Sequence, residues 1–271
     1  MGKQSYLLVF FCILQQGGTL LGILVVLGIV QGLCEFLPIS SSGHLVLLSR
    51  WFGVEDSLFV SIILHIATLL SIFVVLRKEV FSLIRHPFSK DSLQLSISTI
   101  ITCVVAIILM PFISTSFEGE FLPWAFLITS ALLFIVEKLS KTTNHKNKEL
   151  SFKQAVIIGL AQGLAIFPGI SRSGATISAG VLSGADREKS AKFSFLVSIP
   201  IIIASLIMEI IKIVILGETI SVNPWGLILS FLIAFLIGVV SIKFMIKVTS
   251  KTNFKWFSIY LIFIAIVSLI F

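Results

Sequence analysis

Charge is scarce in this chain: 12% of its 271 residues are Asp, Glu, Lys or Arg, against 57% hydrophobic residues and a mean hydropathy of +1.11. A soluble domain carries roughly 45 to 50% apolar and about 25% charged residues. So little polar surface excludes a water-soluble body and leaves a bilayer as the solvent. Cysteine is scarce too. Cys12, Cys34 and Cys103 lie within or beside apolar stretches; their odd number and lack of metal spacing leave small buried residues as the reading. No long hydrophilic segment is present, which excludes a receptor with a sizeable soluble domain or a long recognition loop.

The charge that is present is biased, with 20 Lys and Arg against 13 Asp and Glu, a net of +7. That surplus does not mark a nucleic-acid surface. The basic residues fall in short loops between apolar runs, where orientation in a membrane requires them. The runs themselves cover residues 58–77, 94–113, 190–211, 224–246 and 255–271, with a shorter one at 121–136. Crossing roughly 30 Å of hydrocarbon takes about 20 residues in a helix. Residues 1–16 contain Lys3 and an apolar run from Tyr6 to Leu14 that is too short to span. They fit a signal remnant or an interfacial helix equally well and are left as an extension of unassigned role.

Sliding the chain along itself by 131 residues lays Gly28–Gly43 over Gly159–Gly174 with nine of sixteen positions identical and no gap. The identities are Gly28, Gln31, Gly32, Leu33, Phe36, Ile39, Ser40, Ser42 and Gly43 with Gly159, Gln162, Gly163, Leu164, Phe167, Ile170, Ser171, Ser173 and Gly174. The same offset carries the runs near 58, 94 and 121 onto those near 190, 224 and 255, so each copy is one hairpin plus three crossings. The expected fold is therefore an all-α polytopic membrane protein of two inverted-topology repeats, each a re-entrant helical hairpin followed by three transmembrane helices. Repeat 1 occupies 17–136 with its hairpin at 17–48, and repeat 2 occupies 153–271 with its hairpin at 153–182; a cytoplasmic loop, 137–152, joins them.

Orientation follows from the loops. Residues 77–93 hold Arg77, Lys78, Arg85 and Lys90, and residues 137–153 hold Lys138, Lys141, Lys146, Lys148 and Lys153, so both read as cytoplasmic. Between them Ser114–Glu120 has only Glu118 and Glu120 as charges and reads as external. Parity then makes the first hairpin enter and leave on the outer side and the second on the inner side, and places the C-terminus outside the cytoplasm. Two hairpins entering from opposite faces can meet at depth, where inverted repeats with broken helices commonly hold a site.

Gln31 and Glu35 are four apart on an expected helix and share a face, with Pro38 ending it. Ser40, Ser41, Ser42, Gly43 and His44 come next. Such irregular, polar backbone survives at membrane depth only when buried in protein or lining a polar cavity. The serines alone read as well as helix caps and close-packing residues. Glu35 and Arg172 favour function, because a charge at mid-bilayer costs roughly 2.5 to 3.5 kcal/mol even on insertion scales and usually serves function; a buried pairing of the two is the structural alternative. At the offset of 131 the copies diverge where the chemistry is richest: Glu35 faces Ile166, Ser41 faces Arg172 and His44 faces Ala175. Arg172 can bind phosphate bidentately, and the helix starts beside Gly43 and Gly174 add positive dipole ends. Ser41 can attack phosphorus, His44 can accept a proton, and Glu35 can hold Mg²⁺ against substrate phosphates.

The segments Gly28-Ile-Val-Gln-Gly-Leu-Cys-Glu-Phe-Leu-Pro-Ile-Ser-Ser-Ser-Gly-His44 and Pro168-Gly-Ile-Ser-Arg-Ser-Gly-Ala-Thr176 resemble the paired motifs of the undecaprenyl-diphosphate phosphatase, or bacitracin-resistance, family, and the resemblance covers residues 17–271. It implies hydrolysis of undecaprenyl diphosphate, recycling of the lipid carrier for cell-wall synthesis, and bacitracin resistance. By that resemblance Glu35, Ser41, His44 and Arg172 are catalytic and a divalent cation, Mg²⁺ or Ca²⁺, takes part; Glu35 is its candidate ligand, with proton transfer by Glu35 the open alternative. Gln31, Ser40, Ser42, Gly43, Ser171, Ser173, Gly174 and Thr176 hold the substrate. Many relatives have glutamate at the place of Gln31, so a second carboxylate is not essential here. The partners implied are the lipid diphosphate and the surrounding membrane lipids in the plasma membrane, with a homodimer left open. Ser41 attack and His44-activated water both remain open. So does a lipid-carrier flippase or transporter, alone or beside hydrolysis, since inverted repeats support alternating access. His65 could approach the site but reads first as a packed, hydrogen-bonded histidine, and Pro111 and Pro200 read as kinks or ends of apolar helices.

Overall fold

The computed structural model describes residues 18–53, 57–116, 121–139, 149–216, 223–249 and 254–270. The unassigned extension, Glu118, Glu120, Lys141, Lys146 and Lys148 lie outside the described residues. Helices are the form an apolar chain takes when no water is at hand for its backbone, because every N–H and C=O is then satisfied within the segment. Eleven are present among the described residues: α1 (Gly18–Cys34), α2 (Ser41–Phe52), α3 (Ser57–Val75), α4 (Arg77–Arg85), α5 (Lys90–Ser116), α6 (Leu122–Leu139), α7 (Phe152–Leu164), α8 (Arg172–Leu182), α9 (Arg187–Leu216), α10 (Pro224–Thr249) and α11 (Phe254–Ile270).

Four of these, α5, α6, α9 and α10, are each long and apolar enough to cross a membrane, and the protein is a multi-pass membrane protein. A fifth span arises if α3 and α4, bent by 83° at their junction, are taken together, whereas α1 and α11 are shorter apolar helices. The bend at α3–α4 coincides with the charged run Arg77-Lys78-Glu79, which leaves the apolar phase and turns the chain aside. Pro111 and Pro200 end nothing. Both lie inside helices, α5 and α9, that continue to Ser116 and Leu216.

Small residues set the packing. α1 lies against α10, and a Cβ on Gly28 would stand 2.6 Å from the Ser230 carbonyl oxygen. α7 lies against α5 in a matching way, with a Cβ on Gly159 2.6 Å from the Ser98 carbonyl oxygen. In both pairs the backbones approach too closely for any side chain, the usual mode of close helix association in lipid. α6 and α11 pack on each other through a reciprocal exchange in which Ser130 Oγ donates to the Ser258 carbonyl at 2.8 Å and Ser258 Oγ to the Ser130 carbonyl at 3.0 Å. The main apolar core unites both halves, with Phe36 edge-on to Phe195 at 5.5 Å and Ile72, Phe126, Ile177 and Met245 around them.

Candidate active site

Two broken segments meet at the middle of the helix assembly. α1 stops at Cys34, ahead of Pro38, yet the Glu35 N–H still donates to the Gln31 carbonyl at 3.0 Å, so the two side chains keep a common face. The turn beyond it ends on Ser40, whose φ of 68° is the only positive value at a non-glycine among the described residues. Ser40 then caps α2, its Oγ accepting from the Gly43 N–H at 3.3 Å, just as Ser171 caps α8 by accepting from the Gly174 N–H at 3.1 Å. The matched residues Ser41 and Arg172 therefore each open a helix, at its positive end.

The tips press together reciprocally. A Cβ on Gly43 would lie 2.9 Å from the Gly169 Cα, and one on Gly174 would lie 3.3 Å from the Pro38 Cβ. Gly169, at φ 90°, needs to be glycine on backbone grounds as well. Ser173 Oγ locks the two tips by donating to the Leu37 carbonyl at 2.9 Å, and Thr129 of α6 accepts from the Ser171 N–H at 3.1 Å.

Glu35 is the hub. Its side chain is 3% exposed, and one carboxylate oxygen, Oε1, is ion-paired with Nη2 of Arg172. The other, Oε2, accepts from Ser41 Oγ at 2.6 Å and from Gln31 Nε2 at 3.1 Å. Gln31 also reaches Thr68 of α3 at 3.5 Å. Burying a carboxylate without a partner is strongly unfavourable, so Arg172 makes the hub tenable, and losing either partner would strand the other's charge. His65, also on α3, brings Nε2 to 3.8 Å from Glu35 Oε2 while its Nδ1 lies 2.8 Å from the Ser61 carbonyl. It is thus hydrogen-bonded as expected, and it also flanks the carboxylate, the less favoured of the two readings of its place in an apolar span.

His44 faces elsewhere. Its Nδ1 lies 2.7 Å from the Ser40 carbonyl and its Nε2 lies 2.8 Å from the Tyr260 hydroxyl of α11. Its ring stacks on Tyr260 within 4° of parallel at 5.7 Å and meets Phe126 edge-on at 5.4 Å. Nothing in the spacing of the sequence motifs pointed to Tyr260, because it enters from the last helix.

The remaining candidate residues divide by exposure. Ser42 is exposed, and Ser41 and Arg172 are partly so. Ser40, Gly43, Ser171, Ser173, Gly174 and Thr176 are buried. The Thr176 hydroxyl donates to the Arg172 carbonyl at 2.8 Å and pairs with Ser194 Oγ of α9 at 2.5 Å. These buried groups brace the tips, and the open edge is formed by Ser41, Ser42 and Arg172. Among the described residues no group of three or more His, Cys, Asp or Glu converges to hold a metal ion. Mg²⁺ is usually held by one or two carboxylates together with substrate phosphates, so a lone Glu35 beside an arginine chemically able to bind phosphate fits that style of site.

A hydroxyl and a guanidinium at one partly open edge, joined beneath by a buried carboxylate, suit transfer of a phosphoryl group. A family model described as bacitracin resistance protein BacA matches residues 24–267, a span that contains every one of these side chains. The chain is similar to an undecaprenyl-diphosphatase of Thermosipho melanesiensis, with 40% identity over 253 residues, 91% of this chain and 97% of the relative. It is similar at 37% identity to an undecaprenyl-diphosphatase of Carboxydothermus hydrogenoformans, covering 87% of this chain and 91% of the relative. Undecaprenyl-diphosphatase 4 of Bacillus cereus is 40% identical over 237 residues, again 87% of this chain and 91% of the relative.

Proposed function

This chain belongs to the bacitracin resistance protein BacA family, and on that premise we propose that it hydrolyses undecaprenyl diphosphate to undecaprenyl phosphate and inorganic phosphate. The names of its relatives supply the substrate. The product is the lipid carrier in the form that cell-wall synthesis uses, and its recovery accounts for bacitracin resistance. The observation that carries the chemistry is Glu35 held between Ser41 on one oxygen and Arg172 on the other.

That arrangement supports the following roles. Arg172 leaves the carboxylate for the incoming diphosphate, which it can grip with two parallel hydrogen bonds, helped by Ser42 and the positive ends of α2 and α8. Glu35, released from its ion pair, accepts the proton of Ser41 as Ser41 Oγ attacks the terminal phosphorus. The Oγ–P bond forms, the bridging P–O bond breaks, and undecaprenyl phosphate leaves. Water then attacks the phosphoserine with His44 taking its proton, the P–Oγ bond breaks, phosphate departs and Ser41 recovers its proton. Gln31 and His65 keep the carboxylate aimed at Ser41. A divalent cation, Mg²⁺ or Ca²⁺, would be held by Glu35 and would neutralise charge on the diphosphate.

The two halves are read as inverted repeats whose hairpins enter from opposite faces, with the C-terminus outside the cytoplasm. The matched contacts of Gly28 with Ser230 and Gly159 with Ser98 support that reading. Reporter tags after Glu118 and after Lys146 should then report opposite sides of the membrane; the same side for both would break it.

The central test incubates purified protein with undecaprenyl diphosphate and measures phosphate release with Mg²⁺, with Ca²⁺ and with chelator. Phosphate release that needs the cation, and an acid-quenched phosphoserine at Ser41, are the expected results. Inactivity across all metals would overturn the hydrolase reading, and turnover without a phosphoserine would move the attack to water.

A further inference from the structure

The same offset of 131 that matches the hairpins also matches α6 with α11 and sets Tyr260 opposite Thr129. Both residues reach into the hairpin of the other half. Thr129 holds the tip of the second hairpin, accepting from the Ser171 N–H at 3.1 Å. Tyr260 holds the first hairpin through His44, at 2.8 Å. The supported residue has diverged together with its support, since His44 stands opposite Ala175 just as Tyr260 stands opposite Thr129. A small helper serves the copy with alanine, and a phenol serves the copy with imidazole.

The hydrogen bonds have one consistent pattern for a neutral imidazole. The Ser40 carbonyl, 2.7 Å away, can only accept, so His44 Nδ1 must carry the hydrogen. Nε2 then holds the lone pair, and the Tyr260 hydroxyl donates to it. The near-parallel stack at 5.7 Å, with Phe126 edge-on from the other side, prevents the ring from flipping out of that alignment. Tyr260 itself is 38% exposed, so the residue stands at the margin of the buried cluster rather than deep inside it.

We propose that Tyr260 is a positioning residue for hydrolysis: it fixes His44 with Nε2 as its basic atom and surrenders that atom to the reacting water when substrate is bound. The inference rests on the role of His44 in the proposed hydrolysis. The test uses the full chain in detergent with Tyr260→Phe, which keeps the stacked ring and removes the hydroxyl. Loss of one hydrogen bond should lower kcat roughly 3- to 10-fold, with KM within about 2-fold, and displace the limb of the pH–rate profile that His44 governs. In a His44→Ala background Tyr260→Phe should cost nothing further, as expected for two residues acting as a unit. The ¹⁵N resonance of His44 Nε2 should report an accepting nitrogen in the wild type and shift in Tyr260→Phe. Additive losses in the double variant, or an Nε2 resonance indifferent to Tyr260→Phe, would overturn the proposal. Because the ¹⁵N measurement needs no turnover, a wild type that releases no phosphate would defeat the hydrolase reading while this assignment was still decided.

Discussion

The two hairpins use one backbone device for two purposes. Each ends in a serine that caps the next helix, Ser40 for α2 and Ser171 for α8, and each is braced by a glycine seated against the opposite tip. The residue after the cap differs: Ser41 at the start of α2, Arg172 at the start of α8. A hydroxyl and a guanidinium are thus delivered by equivalent positions to the same carboxylate, Glu35, from opposite sides. The matched segments share an approach geometry, and on the reading proposed above their divergence at a few positions sets a nucleophile on one side and an anion holder on the other. The hairpins also differ in strain. Ser40 sits at φ 68°, whereas Ser171 sits at φ −71°, an ordinary extended cap.

Several substitutions test how deep that difference runs. The largest effect is expected from Ser41→Ala, which should lower phosphate release by roughly 10,000-fold or more, as loss of a nucleophile does. Exchanging the matched residues, Ser41→Arg with Arg172→Ser, should be no more active, because it keeps both groups but reverses their sides. Activity in that exchange would mean the two hairpins are chemically interchangeable. Glu35→Gln should cost roughly 100- to 10,000-fold in kcat, the range for a general base, while Ile166→Gln at the matched position should leave the rate within a few-fold; steady-state assays separate the two. Arg172→Lys keeps the charge but loses the bidentate fork, and a loss of about 100-fold in kcat/KM is expected.

Gly28→Ala and Gly159→Ala probe the shared scaffold instead. Each Cβ would meet a carbonyl oxygen at 2.6 Å, so each should destabilise by about 1 to 3 kcal/mol, seen as similar falls in the melting midpoint in detergent. Unequal falls would show that the scaffold has diverged as well. The smallest contrast lies at the caps. Replacing a capping serine by glycine costs only a few tenths of a kcal/mol, but Ser40→Gly also relieves a left-handed backbone. Ser40→Gly should therefore be neutral or slightly stabilising and Ser171→Gly slightly destabilising in the same melting assay.

How much of this was written in the chain depends on whether local or long-range contacts hold a feature. Apolar runs gave the long helices α5, α6, α9 and α10, because hydropathy acts residue by residue along the chain. Gln31 and Glu35 fell on one face by simple helical spacing, even though α1 ends one residue before Glu35. Glu35 and Arg172 stood out in the sequence as charges in apolar surroundings, but their pairing was only the structural alternative to a functional reading, and the contact itself comes from the meeting of the two tips. His65 and Tyr260 were different. They enter from helices outside the motifs, and their side chains are aimed by the packing of α3 and α11, which no local pattern records. The direction of His44, turned to Tyr260 rather than to Ser41, comes from the same source. The bend at α3–α4 also hid within a run that reads as a single span up to residue 77.

The seat of Gly28 on Ser230 has a consequence for how the protein is made. The first hairpin leans on a helix that the ribosome delivers some 200 residues later, which at roughly 5 to 20 residues per second is about 10 to 40 s. Arg172, the partner that makes its charge tolerable, follows Glu35 by 137 residues, so for roughly 7 to 27 s of that interval the segment carrying Glu35 is in or near the membrane without it. Either the carboxylate stays protonated until the second hairpin arrives, or the first hairpin waits at the interface. Assembly of the site then waits for α8 and α10, and a product truncated before α8 would leave Glu35 without its arginine.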